Sequence, residues 1–546
     1  MNDMRRTLLW VVFTMSLVLL WDAWSRHNGQ PGMFSAPTPA ASAAASAGGV
    51  PAASGSAAAL PGAAAPAPSE KFTVTTDVLK VTLDSRGGDL MRAELLHHVD
   101  SQDATRNVVL MDDDGKRLYR AQSGFIPAAG AAALPTHFTT LRRVAGEAAL
   151  AEGKDEISVR YESDVVGGAK MVKTYTFRRG EYVVGVRHEL VNVGTAPLQP
   201  QLYVQLLRDG TPPPGESSFY STFTGPAVYT PEKKFEKVEF SDIDKRGPQD
   251  TPKHQTKATD GWVAMVQHYY ASAWLLPAGA EREFRTQKVG GAYTVAMVQR
   301  LADVAPGASA VHESRLFVGP QEENKLAALA PGLELVKDYG FLTVLSKPLF
   351  WVLIHLHQVL GNWGWSIIGL VVLLKIAFYW LNASAYKSMA KMKAVNPRIM
   401  ELRERLKDKP QEMQAEMMRI YREEKVNPLG GCLPIFIQMP FFIALYWVLL
   451  ASVEMRGAPW LGWITDLSAK DPYFVLPVLM TLSSLLQVWL NPAPPDPMQQ
   501  KMMWIMPLMF SFMFFFFPSG LVLYWLVNNL LSIAQQYVIN KRLGVT

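Results

Sequence analysis

Between residues 363 and 539 the chain returns five times to an apolar stretch of membrane-spanning length: about 363–381, 433–453, 473–490, 502–517 and 520–539. At 1.5 Å per residue such stretches approach the roughly 30 Å thickness of a bilayer's hydrocarbon core. A sixth, TLLWVVFTMSLVLLWDAW at residues 7–24, follows Arg5 and Arg6 near the N-terminus. The middle of the 546-residue chain has ordinary soluble composition. The pattern predicts a membrane-embedded bundle of six transmembrane helices carrying one large water-soluble domain.

The first apolar stretch has a rival reading as a cleaved signal peptide, because Ala-x-Ala triplets follow at 40–46. Its length and its distance from those triplets fit an uncleaved anchor better, with the arginines held in the cytoplasm. Residues 29–69 are almost all Ala, Pro, Ser and Gly, a composition with little to bury, and read as a disordered tether. The next domain is expected over 70–340, and from Lys71 to about Pro320 its period is two. FTVTTDVLKVTL (72–83), KMVKTYTF (170–177), EYVVGVRHELVNV (181–193) and AYTVAMVQ (292–299) alternate and are rich in β-branched residues, with SRGGD (85–89), RRGE (178–181) and GTAP (194–197) as turns. This predicts an antiparallel β-sandwich with a helical C-terminal segment over 321–340. FLTVLSKPLFWVLIHLHQVLGN (341–362) is apolar but holds Lys347, Pro348, His355 and His357, and reads as an amphipathic helix lying on the bilayer.

Charge sets the orientation. The segment 385–431 holds eleven Lys/Arg, whereas 454–472 holds only Arg456 and Lys470. The basic segment and the tail with Lys541 and Arg542 therefore belong in the cytoplasm and the β domain outside. Six crossings return the C-terminus to the side of the N-terminus, in agreement. Residues 383–425 read as a helical hairpin bent near Pro397, with Ile399, Leu402 and Leu406 facing Met413, Met417 and Ile420. A plain solvated loop is the alternative.

One span carries a charge at its centre: GLVVLLKIAFYW, residues 369–380, with Lys375. A lysine at mid-helix costs roughly 2.5–3.5 kcal/mol on insertion scales. It could snorkel to the inner headgroups, or it could face a wet cavity walled by protein. Neighbouring polar residues favour the cavity. Asn382 lies seven residues on, on the same face. Trp525, Asn528, Asn529, Ser532, Gln535 and Gln536 form a stripe covering about 120° of the last span. Gln438 sits between Pro434 and Pro440, Ser483, Ser484 and Gln487 mark the fourth span, and Ser511 the fifth. Each alone could be interhelical glue. Glue does not explain a cation in spans two to six that hold no Asp or Glu. A hydrated, positive groove open to the cytoplasm would suit a passing polypeptide.

Other classes find little support. A net charge of +5 gives no footprint for nucleic-acid sequence recognition. The single cysteine, Cys432, forbids an internal disulfide. No metal cluster, phosphate loop or nucleophile elbow is legible, so no cofactor, no metal and no catalytic residue are expected. A coupled solute transporter would need paired intramembrane charges or repeats. A carbohydrate enzyme would need convergent carboxylates in the β domain.

The sequence resembles the YidC membrane-protein insertases of Gram-negative bacteria. The resemblance is carried by YKSMAKMKAVNP (386–397), EKVNPLGGCLPIFIQMP (424–440), DPMQQKMMWIMP (496–507) and FPSGLVLYW (517–525), and by TDVLKVTLDSRGGDL (76–90) and RLFVGP (315–320). It implies a six-span bacterial inner-membrane protein with a five-helix insertase core and a periplasmic β-supersandwich. It implies insertion and chaperoning of nascent membrane proteins, alone or with the Sec translocon, with ribosome–nascent chain complexes and the signal recognition particle pathway as partners. It places Lys375 where the family commonly has an arginine, and Trp525 where many members have a second tyrosine after Tyr524. With these, Asn382, Gln438, Ser511, Asn528 and Ser532 complete the expected groove. Tyr386, Met389, Lys391, Asn396 and Pro397 mark the first cytoplasmic loop, which the resemblance links to client recruitment.

Overall fold

The computed structural model describes residues 69–103, 105–214, 222–247, 250–407, 409–424, 433–491 and 497–542. The anchor expected at 7–24, nearly all of the tether expected at 29–69, and Cys432 lie outside the described residues. The chain forms two compact units. One holds the described residues up to Gln267 together with Ala271–Gly319, and the other holds His268–Tyr270 and the described residues from Pro320 on.

The described strands form two nine-stranded antiparallel sheets. One runs through Lys71–Thr75, Leu79–Asp84, Leu90–Val99, Tyr119–Pro127, Pro200–Arg208, Ala292–Arg300, Arg282–Val289 and Lys257–Ala258, with Asn107–Met111 beside Leu90–Val99. The other runs through Lys234–Lys237, Gly225–Thr230, Trp262–Val266, Tyr270–Leu275, Ser309–Pro320, Val183–Asn192, Ala169–Arg178, Glu156–Ser163 and Leu141–Gly146. The alternation that predicts strands is visible in Glu156–Ser163, where Ile157, Val159 and Tyr161 are buried and Glu156, Ser158 and Arg160 exposed. The run expected at 72–83 is two strands. Thr76 Oγ1 accepts from the Leu79 and Val78 amides at 2.9 and 3.3 Å and turns the chain between them.

The inner faces of the sheets are tied by polar side chains as well as apolar ones. Trp274 Nε1 donates to Gln205 O at 3.0 Å, and Lys173 Nζ donates to Gly87 O and Ser123 O at 2.5 and 3.0 Å. Gly87 is in the left-handed region at φ 68°, and a Cβ there would stand 2.3 Å from His137 O. The SRGGD turn therefore needs its first glycine both for conformation and for space.

The second unit contains eight longer helices among its described residues: α1 (Thr343–Leu360), α2 (Trp363–Ala377), α3 (Tyr379–Arg405), α4 (Pro410–Glu423), α5 (Leu433–Ala451), α6 (Val475–Leu490), α7 (Pro497–Phe514) and α8 (Ser519–Arg542). Asn362 caps α2, its Oδ1 accepting from Gly364 N and Trp365 N at 2.9 and 3.2 Å. A core including Leu353, Ile367, Leu370, Leu445, Val448, Met480 and Val522 joins α1, α2, α5, α6 and α8. Large apolar side chains remain on the outside, among them Trp380, Leu482, Trp489, Ile505, Met509 and Phe512. An apolar exterior of this kind suits a lipid environment.

The strand-rich unit ends at Gly319, where the period-two pattern stops, and the helical segment expected to close that domain at 321–340 groups with the other unit. The segment after it packs with the helices for an electrostatic reason. Lys337 is only 3% exposed, its Nζ lies 2.8 Å from both carboxylate oxygens of Glu454, and it sits 3.9 Å over the Phe350 ring. Tyr339 OH donates to the Glu323 carboxylate beside it.

By length and hydropathy among the described residues, Gly340–Leu360 alone meets the requirement for a span. Trp363–Ala377 and Tyr379–Ser388 meet it jointly, bent by 64° at Phe378, and Gln438–Ala451 and Val475–Leu490 are apolar but shorter. The segment expected to lie on the membrane is thus apolar enough to cross it. The last helix carries a polar stripe, which lowers its mean hydropathy. The expected bend near Pro397 is absent as a break: Pro397 lies inside the continuous α3, and the turn comes at Phe378.

The helical hairpin is present. Val395, Ile399 and Leu402 of α3 pack against Ile420 of α4, with Met392, Leu406, Met417 and Tyr421 around them. Arg398 and Glu424 close it with a 2.6 Å ion pair. Met413 is not a member of that cluster.

Candidate functional site: a cationic cavity among α2, α3, α5, α6 and α8

The bend at Phe378 brings Lys375, near the end of α2, and Asn382 and Tyr386, on the first turns of α3, to one wall. The polar stripe of α8 forms the facing wall. Lys375 Nζ donates to Ser532 Oγ at 2.7 Å, and Ser532 Oγ donates to Asn528 O at 2.7 Å. Gln438 Nε2, from α5, donates to Asn528 Oδ1 at 2.7 Å. Trp525 stands edge-on to Phe442 and Phe514, with ring centroids 3.9 and 4.9 Å away. These groups surround a cavity of about 240 Å³ that Gln487 and Asn491 also border. One water needs roughly 10–15 Å³, so the space holds several.

The charge balance is one-sided. Among the described residues lining the cavity, Lys375 is the one charged group and no carboxylate is present. An ammonium without a carboxylate is stabilised by water and polar contacts, and a cavity of this size has room for both.

Seven of the eight groove residues expected from sequence line this cavity: Lys375, Asn382, Gln438, Tyr524, Trp525, Asn528 and Ser532. Ser511 does not. It is 4% exposed, and its hydroxyl donates to Pro507 O, four residues back in α7, at 2.6 Å, so its own helix satisfies it. The α8 stripe divides its work. Asn529 also donates to Ser484 Oγ at 2.9 Å and Gln536 to Asn491 Oδ1 at 3.2 Å, so those two bind α8 to the α6 end of the bundle.

Of the loop residues, Tyr386 belongs to the cavity: it lines the wall, and its OH donates to Ser532 O at 3.4 Å. Its place four residues after Asn382, on the same helical face, is the signal that would have found it. Met389 lies within α3; Lys391 and Pro397 are exposed and Asn396 half-buried, away from the cavity. Met439 and Phe442 line the cavity without having been expected, although Phe442 is one turn from Gln438.

The β unit offers a second cluster of ionisable groups, between the sheets. Asp89 accepts from Gln122 Nε2 at 2.6 Å, and His188 Nε2 lies 2.8 Å from Ser123 Oγ. Burial pushes the Asp89 carboxyl up to about 7 against the pull of Lys173, and burial brings the Lys173 ammonium down to about 8. Asp89 is 1% exposed, and Lys173 and His188 are wholly buried. No substrate can reach groups closed off in this way, so they hold the sheets together rather than form an enzyme site. No group of three or more His, Cys, Asp or Glu among the described residues could hold a metal.

Two family models match in tandem. One, the YidC periplasmic domain, covers residues 71–352, and the other, the 60Kd inner membrane protein, covers 355–545. A protein of Cupriavidus pinatubonensis named membrane protein insertase YidC is 53% identical over 99% of this chain and 98% of its own length. The chain belongs to the YidC family of membrane-protein insertases. A namesake in Bordetella pertussis is 50% identical over 99% of this chain and 98% of its own. The crystal structure described as an active YidC insertase with the first transmembrane domain resolved aligns over 86% of this chain and 93% of its own, at 21% identity and a TM-score of 0.39. This insertase is accordingly an inner-membrane protein, and its paired sheets are the periplasmic domain of the family.

Proposed function

We propose that the cavity beside Lys375 is where the insertase receives the hydrophilic segment of a client on its way across the membrane. The observation that carries this reading is the ammonium of Lys375, held by Ser532 in a 240 Å³ cavity with no carboxylate among its described lining. A polar segment entering such a space crosses less of the bilayer dry. Its apolar neighbour leaves sideways into lipid, driven by burial worth roughly 25 cal/mol per Å². Binding and solvation suffice, and no covalent step, metal or cofactor is required.

Around this mechanism we place six spans, five of them forming the insertase core, with both termini and the α3–α4 hairpin in the cytoplasm, as the excess of positive charge between 385 and 431 supports. The cavity then opens to the cytoplasm. The paired sheets form a β-supersandwich in the periplasm. The chain acts on nascent clients alone or with the Sec translocon, receiving them from ribosome–nascent chain complexes and the signal recognition particle pathway. Replacing Lys375 with Glu tests the charge. Insertion of clients with acidic external segments should fall severalfold at equal protein level. Unchanged insertion would remove the cation from the mechanism.

A further inference from the structure

Asn382 is 8% exposed, and its backbone N–H is spent on Phe378 O at 3.0 Å. Its side-chain amide borders both the 240 Å³ cavity and an adjoining recess of about 20 Å³, in company with Lys375, Gln438 and Asn528. Of the amides beside it, Gln438 Nε2 and Asn528 Oδ1 are paired with each other at 2.7 Å. Lys375 spends one N–H on Ser532 and keeps two. Among the described residues, the Asn382 side-chain amide has no protein hydrogen-bond partner. Neither polar atom is sealed off without a partner, so the carbonyl and the NH₂ face the cavity uncommitted and are poised for a ligand that displaces water from them.

A carboxylate only accepts hydrogen bonds. It could use Lys375 and Asn382 Nδ2, but it would face Oδ1 with no donor. An extended residue presents its own N–H and C=O on one side of the strand, one donor and one acceptor from successive peptide groups, the complement of a side-chain amide. Its carbonyl can accept from Asn382 Nδ2 while its N–H donates to Asn382 Oδ1. A polypeptide entering the bilayer in extended form carries peptide groups that hydrocarbon cannot satisfy, at several kcal/mol each. We infer that Asn382 is a binding residue for the client's backbone, pairing with the N–H and C=O of one extended residue of the translocating segment whatever its side chains, while Lys375 supplies the preference for acidic ones. This rests on the reading that the cavity admits the client.

The test uses the full-length protein in liposomes and two single-span clients that differ only in an external segment carrying either three Asp or three Asn. Asn382→Leu, similar in size and without hydrogen-bonding groups, should slow both clients about five- to tenfold, whereas Lys375→Met should slow the Asp client selectively. Asn382→Asp keeps the volume but removes the donors, and should slow the Asn client severalfold and the Asp client further. It also stands in if the leucine variant fails to fold. Asn-client insertion at the wild-type rate in the folded variants, or slowing confined to the Asp client, would overturn the assignment. Photo-crosslinking from a photo-reactive residue at position 525, with Asn382 and Lys375 unchanged, runs alongside. Crosslinks to client with unaffected Asn382 variants refute the backbone role alone; no crosslinks refute the cavity reading as well.

Discussion

Lys375 on α2 and Ser532 on α8, 157 residues apart, meet through a 2.7 Å hydrogen bond in which the ammonium donates and the hydroxyl accepts. The hydroxyl donates its own hydrogen bond to Asn528 O at 2.7 Å, so its lone pairs are left to face the lysine. The serine thereby fixes where the charge sits in the cavity. Ser532→Ala should lower insertion of acidic clients about threefold to fivefold, since a hydrogen bond to a charged group is worth roughly 1.5–3 kcal/mol and water recovers part of it. Ser532→Thr should retain most activity. Proteoliposome insertion of one acidic client by the three proteins checks this.

The Lys337–Glu454 pair is a buried ion pair at the start of the helical unit. Burial lowers the Lys337 pKa and the Glu454 carboxylate raises it, with burial the larger cause. Glu454→Ala leaves the ammonium buried without its counterion and should destabilise the fold by about 3–5 kcal/mol. The double change Lys337→Met with Glu454→Leu should recover most of that loss. Thermal unfolding in detergent of the wild type, the single and the double variant measures both.

His137 should make the periplasmic domain acid-sensitive. Its imidazole is held against Tyr203 OH, 2.6 Å from Nδ1, and burial, helped by Lys173 and Arg86, lowers it to about 3. The folded state therefore keeps it neutral while the unfolded chain takes up a proton below about 6.5. Its contribution is complete above that pH and is lost as pH falls toward 3, by about 2 kcal/mol at pH 5. His188, also lowered by burial, acts in the same direction. Hydrogen exchange over Tyr119–Pro127 and Pro200–Arg208 in the full-length protein should accelerate between pH 7 and 5 after correction for intrinsic rates, and less so in His137→Gln.

The hairpin's small core makes it easy to open separately. Ile399 is wholly buried among few neighbours. Ile399→Ala should cost about 2–5 kcal/mol locally. Limited proteolysis should then cut within α3 and α4 at least tenfold faster, while fragments from α5 to α8 stay intact.

Much of this architecture was legible because the signals are periodic. Alternation gave Ala169–Arg178, and the i, i+3, i+7 recurrence of Ile399, Leu402 and Leu406, set against Met417 and Ile420, gave the hairpin core. Lys375 announced the cavity because a charge in an apolar run has so few stable environments. What stayed hidden depends on tertiary choice. Phe378, where the chain turns by 64°, is no turn-former, whereas Pro397, the residue that should break a helix, sits exposed inside one, where water can meet the carbonyl it frees. Ser511 reads as a groove residue by composition and proves to be satisfied by Pro507 O, because a serine's partner cannot be told from its place in an apolar run.

The most direct test is photo-crosslinking from positions 386, 438 and 525, which line the cavity and leave Lys375 in place, to a ribosome-stalled client whose hydrophilic segment has just been made. The cavity mechanism predicts strong adducts from all three positions, with Ile505 and Phe512 on the exposed face of α7 silent toward the hydrophilic segment. Adducts from the α7 positions with none from the cavity positions would mean that this segment crosses elsewhere.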